Sequence, residues 1–253
     1  MRDPNRRRSE LAGGLVAALY SLYLCLVLAD TFAACARNDA PDAPPAWAFL
    51  YYFTDQANLL FLAWLIGFAV VMLGGPARRP RLTRLVLNRS VATGVTLYLT
   101  LVFLVVVTLI EPFYTGDFNP TPWGAGLWVH AVSPLLCFAF YLLAPLRGRA
   151  TWRSLAPWLG YLVVYVAVTD IVGATVTWPE GRSTYPYPFL DPTRYPWPAY
   201  ALILVALAAA TWGLGLALNA LKTRFDQAAT VPVTPAATRH PAESRQPAAR
   251  PAD

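Results

Sequence analysis

The chain has 253 residues, of which 57% are hydrophobic and only 13% charged, with a mean hydropathy of +0.43 and a formal net charge of +6. Soluble domains carry about 25% charged residues, so this composition excludes an ordinary soluble enzyme and points to an integral membrane protein. The three cysteines, Cys25, Cys35 and Cys137, have neither the spacing of a zinc site nor the even count of a disulfide framework.

In chain order, Arg2, Arg6, Arg7 and Arg8 precede an apolar run from Leu11 to about Ala34. A basic start before an apolar run is also the pattern of a signal peptide. The run is long for that and reaches the ~20 residues that a membrane span needs, so it reads as a first transmembrane helix. A proline-rich loop, Asn38 to Pro45, leads to a second span from about Trp47 to Leu73, ended by Gly74-Gly75-Pro76. A loop with Arg78, Arg79, Arg81, Arg84 and Arg89 follows, then a third span from about Ser90 to Ile110. The segment Glu111 to Pro122 is acidic and has no Lys or Arg. The fourth span covers about Trp123 to Leu146, a short loop carries Arg147, Arg149 and Arg153, and the fifth span is about Leu155 to Trp178. A loop rich in proline and aromatic residues, Pro179 to Pro198, precedes a sixth span from about Ala199 to Leu221. The polar, Pro- and Ala-rich remainder, residues 222–253, reads as a disordered tail.

Alternate loops sort by charge. One side takes the basic N-terminal residues 1–10, the Arg78–Arg89 and Arg147–Arg153 loops and the tail; the other takes only Arg37, Arg182 and Arg194. Short loops rich in Lys and Arg stay in the cytoplasm. The expected fold is therefore an all-α, six-helix transmembrane bundle over residues 11–221 with both termini cytoplasmic. The basic residues read as topology signals, with no nucleic-acid partner implied. The expected location is a plasma membrane, the bacterial inner membrane.

Polar side chains at lipid depth are costly and call for a structural or chemical reason. The tract Tyr51-Tyr52-Phe53-Thr54-Asp55-Gln56-Ala57-Asn58-Leu59-Leu60 places several at the start of the second span. Thr54, His130 and Asp170 each fall about two turns, ~11 Å, below a Trp at the far end of its span: Trp47, Trp123 and Trp178. Asn58 is one turn below Thr54 on the same face, and Ser133 is similarly placed below His130. Asp55 is about 100° away from Thr54 around the helix and is free to face water.

The chemistry that fits is nucleophilic catalysis. A hydroxyl is a weak nucleophile until a base takes its proton, and His130 is the one histidine in the spans, His240 being in the tail. Asp170 is the expected orienter of the imidazole, by the logic of catalytic triads. Asn58 is a candidate oxyanion donor and Ser133 a rival nucleophile. Each residue also has a plain packing role open to it: Thr54 bonding back to its own helix, Asn58 and His130 as interhelical hydrogen-bonders. One membrane histidine excludes a bis-histidine haem, no metal-ligand cluster is present, and no cofactor is implied.

Tyr52-Phe53-Thr54-Asp55-Gln56-Ala57-Asn58-Leu59-Leu60, then Trp128-Val129-His130-Ala131-Val132-Ser133-Pro134, then Tyr185-Pro186-Tyr187-Pro188-Phe189-Leu190-Asp191-Pro192 resemble, in that order, the bacterial predicted six-pass membrane proteins. These are distantly similar to the eukaryotic androgen-induced membrane hydrolases. The resemblance covers about Leu11 to Leu221. It implies a threonine hydrolase of fatty acid esters of hydroxy fatty acids, with the threonine at Thr54 and the histidine at His130. Asp55, Gln56 and Asn58 depart from the mostly apolar eukaryotic segment. The Tyr185–Pro192 loop, with Tyr187 as a substrate-binding residue, is expected either to cap a cavity between the second, fourth and fifth spans or to act as an interfacial anchor. The expected partner is a membrane lipid or amphiphilic ester; a non-enzymatic binder or transporter of a small amphiphile is the alternative. Oligomeric state is not encoded in any feature of the sequence.

Overall fold

The structure is a computed structural model and describes residues 4–37, 46–110, 125–176 and 184–230. It is an all-α bundle, with no strand among the described residues. The long helices are α1 (Pro4–Arg37), α2 (Phe53–Gly74), α4 (Arg89–Val105), α6 (Trp152–Thr175) and α7 (Trp197–Thr230); α3 (Pro80–Val86) and α5 (Ser133–Leu143) are shorter. Five helices are long and apolar enough to cross a membrane, and the apolar segment Trp128–Leu143 is a shorter sixth. The chain is therefore a multi-pass membrane protein.

Local sequence sets the boundaries. Gly75, at φ 87°, ends α2 in a conformation that side chains disfavour. The Asn88 side chain accepts from the Ser90 and Val91 amides and so caps α4. Thr151 and Ser154 form a reciprocal capping box at the start of α6.

Helix α4 is the axis of the bundle. Every residue from Ala92 to Leu99 is buried, as expected of a helix enclosed on all sides. Helix α1 lies along α2 through a seam of Gly14, Ala17, Ser21, Leu24 and Leu28, spaced three and four apart. A Cβ on Gly14 would lie 2.9 Å from Met72 and Leu73, so glycine permits this close approach. Leu15, Leu19, Leu22, Val163, Ile171 and Leu202 point outward. Such exposed apolar faces suit lipid.

At the basic end of the bundle Lys222 is buried, and its Nζ donates to the carbonyls of Leu142 and Ala144 and to Asp226. Asp226 also accepts from Arg89 at 3.1 Å.

Two boundaries differ from the sequence reading. The second helix begins at Phe53, because Ala46–Leu50 forms a separate 3₁₀ turn. The last helix continues through Lys222 to Thr230, so the first nine residues assigned to the tail are structured. Trp123, Trp178, the Glu111–Pro122 loop, Arg182 and residues 231–253 lie outside the described residues, as does the Asn38–Pro45 loop.

Candidate functional site

Thr54 lies in the first turn of α2, one residue after its start. The first four N–H groups of a helix have no partner within it. Tyr187, from the loop that precedes α7, supplies one: its Oη accepts from the Thr54 amide at 3.3 Å and is also 3.3 Å from Thr54 Oγ1. Two residues on, Gln56 donates to the Leu50 carbonyl and accepts from Tyr161 of α6. Tyr165 of α6 donates to the Tyr51 carbonyl, and Tyr51 donates to the Thr169 carbonyl. The start of α2 is thus fixed to α6 on one side and to the loop on the other.

The loop itself is anchored at three points. Thr184 donates to the Gly173 carbonyl, and the Tyr185 ring packs against Gly173, where a Cβ would come within 2.2 Å of it. Asp191 accepts from Thr193 and pairs with Arg194. Tyr200, buried at the start of α7, donates to Asp170 at 2.7 Å and contacts the Leu190 carbonyl at 3.4 Å. Burial pushes the Tyr187 phenol up to about 12, so this hydroxyl is a hydrogen-bond donor at neutral pH and not a base.

Beneath the loop is a cavity of about 200 Å³. Its walls are apolar side chains of α4, α6 and α7, roofed by Tyr187, Phe189 and Leu190. The hydroxyl-bearing residues that line it are Thr54, Tyr165, Tyr187 and Thr211, and the Tyr165 hydroxyl donates to the Tyr51 carbonyl. The Thr211 hydroxyl donates to Leu207 of its own helix at 2.7 Å, so the available polarity is concentrated at Thr54. The loop therefore roofs a cavity, but the cavity lies among the second, third, fifth and sixth long segments. The segment carrying His130 does not line it.

His130 sits in a π-helical turn, Trp128–Val132, just before α5. Pro134 explains the turn. The Ser133 amide reaches back five residues to the Trp128 carbonyl, and the next donor in that register would be residue 134, which as proline has no N–H. The Val129 carbonyl is left for a side chain, and Asn58 Nδ2 supplies the bond at 3.1 Å. The same Nδ2 donates to the Thr54 carbonyl at 2.8 Å. One amide thus ties the turn carrying Thr54 to the turn carrying His130. π-turns of this kind recur at functional sites.

His130 Nδ1 lies 2.8 Å from the Gly126 carbonyl oxygen. A carbonyl only accepts, so Nδ1 carries the proton, and Nε2 is the basic nitrogen of the neutral ring.

Several sequence assignments change with this geometry. Asp170 bonds Tyr200, and Gly126 holds the imidazole in the orienting role assigned to Asp170. Asn58 has both Nδ2 hydrogens committed to backbone carbonyls, so it has none left for an oxyanion. Ser133 is buried beside Tyr20 of α1, away from the cavity. Asp55, read as free to face water, is buried in the first turn of α2. Thr54 and His130 are on neighbouring turns, but the Thr54 side chain bonds Tyr187 and not His130. The Gly126 carbonyl could not be found from side-chain pattern; Pro134, four residues after His130, was the available signal for an irregular turn.

Compared with protein-family models, curated proteins and solved structures, the chain matches none.

Proposed function

We propose that this chain is a hydrolase of single-chain lipid esters in the bacterial inner membrane, crossing it six times with both termini cytoplasmic. The observation that carries the reading is the Thr54 hydroxyl in the wall of a largely apolar cavity, beside a protonated Tyr187. The acyl chain occupies the cavity and its carbonyl meets Thr54. The loop charges support the topology: Arg78 to Arg89 and Arg147 to Arg153 fall at the end of the bundle opposite Thr54.

In this reading His130 Nε2 takes the Thr54 proton as Oγ1 bonds to the ester carbonyl carbon. Tyr187 turns its hydroxyl hydrogen to the oxyanion that forms. Collapse breaks the ester bond, the leaving alkoxide takes the proton from His130, and an acyl-threonine remains. Water, activated by the same imidazole, releases the carboxylic acid and restores Thr54. The mechanism requires the imidazole to turn toward Thr54 as substrate displaces the Thr54–Tyr187 contact. Catalytic hydrogen bonds are often unmade in an unliganded site.

A second reading, a binder or carrier of an amphiphile without chemistry, is favoured by one observation: the Thr54 hydroxyl bonds Tyr187 and not the base. Labelling of the purified protein with an alkyl fluorophosphonate separates the two. Hydrolysis predicts labelling of wild type and of Ser133→Ala, and none of Thr54→Ala or His130→Ala. Folded wild type that stays unlabelled, or labelling that survives Thr54→Ala, overturns the hydrolase.

A further inference from the structure

We infer that a water molecule is bound inside the bundle, where α1, α2 and the start of α5 meet, held by Tyr20, Asn58 and Ser133. The inference goes beyond the function proposed above and does not depend on it.

Three elements each bring an unused hydrogen-bonding atom to this place. Among the described residues, Tyr20 Oη, Asn58 Oδ1 and Ser133 Oγ are buried without a hydrogen-bond partner. Most buried polar atoms in proteins have a partner, either protein or ordered water. The Tyr20 hydroxyl neighbours Ser133 and Cys137, which are four residues apart and share a face of α5. The Tyr20 ring packs on Phe61, three residues after Asn58, with centroids 5.6 Å apart. Asn58 Nδ2 donates to the Val129 carbonyl at 3.1 Å. A helical carbonyl points at the residue four further on, which for Val129 is Ser133. The Asn58 amide therefore lies within a turn of the two hydroxyls.

Ser133 departs from what nearby hydroxyls do. Ser21 bonds back to Ala17 at 2.7 Å and Thr96 to Ala92 at 2.8 Å, the usual resort of a hydroxyl within a helix. The carbonyl that Ser133 would use in this way is that of Val129, and Asn58 occupies it. The Ser133 hydroxyl is left to serve something else.

The three atoms suit a water. Asn58 Oδ1 only accepts, so the ligand must donate, whereas a hydroxyl can do either. A water that donates to Asn58 and Ser133 and accepts from Tyr20 makes about three hydrogen bonds, the usual number for a buried water. All three side chains are neutral, so none offsets the cost of burying an ion. Ala17, Phe61 and Cys137, all fully buried, surround the site with apolar groups.

The test is X-ray radiolysis of the full chain in detergent micelles made up in heavy-oxygen water. Irradiation splits a bound water into radicals that oxidise the side chains touching it, and mass spectrometry locates the heavy oxygen. Cys137 is 0% exposed, and Cys25 is exposed on α1. With a water at Ser133, Cys137 should gain heavy oxygen several-fold faster than Cys25, the reverse of their exposure. Tyr20→Phe with Ser133→Ala removes two of the three partners and should bring Cys137 down to background. Tyr20→Phe alone keeps the ring on Phe61 and should lower the rate part-way, so the test stands if the double variant fails to fold. Cys137 left unmodified in wild type, or oxidised at the same rate in the variants, overturns the site. The thermal midpoint gives a second reading. Removing a hydroxyl that binds water should lower it, whereas removing one that is buried without any partner should not. A midpoint raised by Tyr20→Phe also overturns the site.

Discussion

At the scale of single residues, the site depends on Tyr187 being a donor. Burial raises its phenol from the usual 10 to about 12, so it is protonated throughout the physiological range. Tyr187→Phe removes the hydroxyl that meets both the Thr54 amide and Oγ1, and should lower kcat about 10²-fold, the usual cost of losing one oxyanion donor. The shape of the pH–rate profile between pH 6 and 9 should be unchanged, because Tyr187 does not titrate there; a basic limb that vanishes in the variant would show that it acts as a base. The raised value also makes a prediction about stability. The folded state holds this proton more tightly than the unfolded state. The contribution is therefore complete below pH 10 and is lost as pH rises from 10 toward 12. Thermal unfolding at stepped pH should show wild type losing more stability than Tyr187→Phe over that interval.

At the scale of elements, Pro134, the π-turn and Asn58 form one unit. The proline leaves the Val129 carbonyl without a helical donor, and Asn58 fills it while holding the Thr54 turn. Asn58→Leu should cost about 1–2 kcal/mol, since interhelical hydrogen bonds in membranes are worth ~0.6 kcal/mol on average and an orphaned carbonyl adds to the loss. In Pro134→Ala the new N–H can reach back along its own helix, so Asn58→Leu should cost less in that background. A double-mutant cycle by thermal unfolding measures this coupling, and strict additivity would show that the proline and the amide are independent. The loop is a second unit. Gly173→Ala drives a methyl into the Tyr185 ring, an overpacking worth about 1–3 kcal/mol. Faster hydrogen exchange across residues 184–196 is the expected readout. The sequence made some of this legible. The polar run after Phe53 marked the site, and the prolines and aromatics of Tyr185–Pro192 marked a fixed loop. It hid the start of α2, because Trp47, Ala48, Phe49 and Leu50 are as apolar as the helix and hydropathy does not register the break at Tyr51 and Tyr52. It also misplaced Asp170, since equal depth on two helices says nothing about which faces meet.

At the scale of the whole molecule, the bundle was legible because length and hydropathy alone define spans and the glycines, prolines and arginines punctuate them. Its end was not. Composition turns polar at Lys222, which reads as a tail, yet Lys222 is almost fully buried at 2% exposure. A lysine has three donors and no acceptor, and here they reach the Leu142 and Ala144 carbonyls at the end of α5 and the Asp226 carboxylate. Leu142 is in the last turn of α5, where no helical N–H follows to satisfy the carbonyls and a positive charge is favoured; the Ala144 carbonyl, just past the helix, also accepts from the Leu146 amide. Asp226 in turn holds Arg89 at the start of α4, so one turn of α7 ties together the basic ends of three helices. Truncation after Thr230 should leave the unfolding midpoint in detergent unchanged. Truncation after Leu221 removes Lys222 and Asp226 together and leaves the Leu142 carbonyl and the Arg89 guanidinium without these partners, while Ala144 keeps the Leu146 amide. At about 1–3 kcal/mol for each buried group left unsatisfied, the shorter chain should unfold well below the longer one, and Lys222→Met in the full chain should show part of the same loss. Equal midpoints for the two truncations would mean that the basic end is held by apolar contacts alone and that Lys222 is buried there without contributing to the fold.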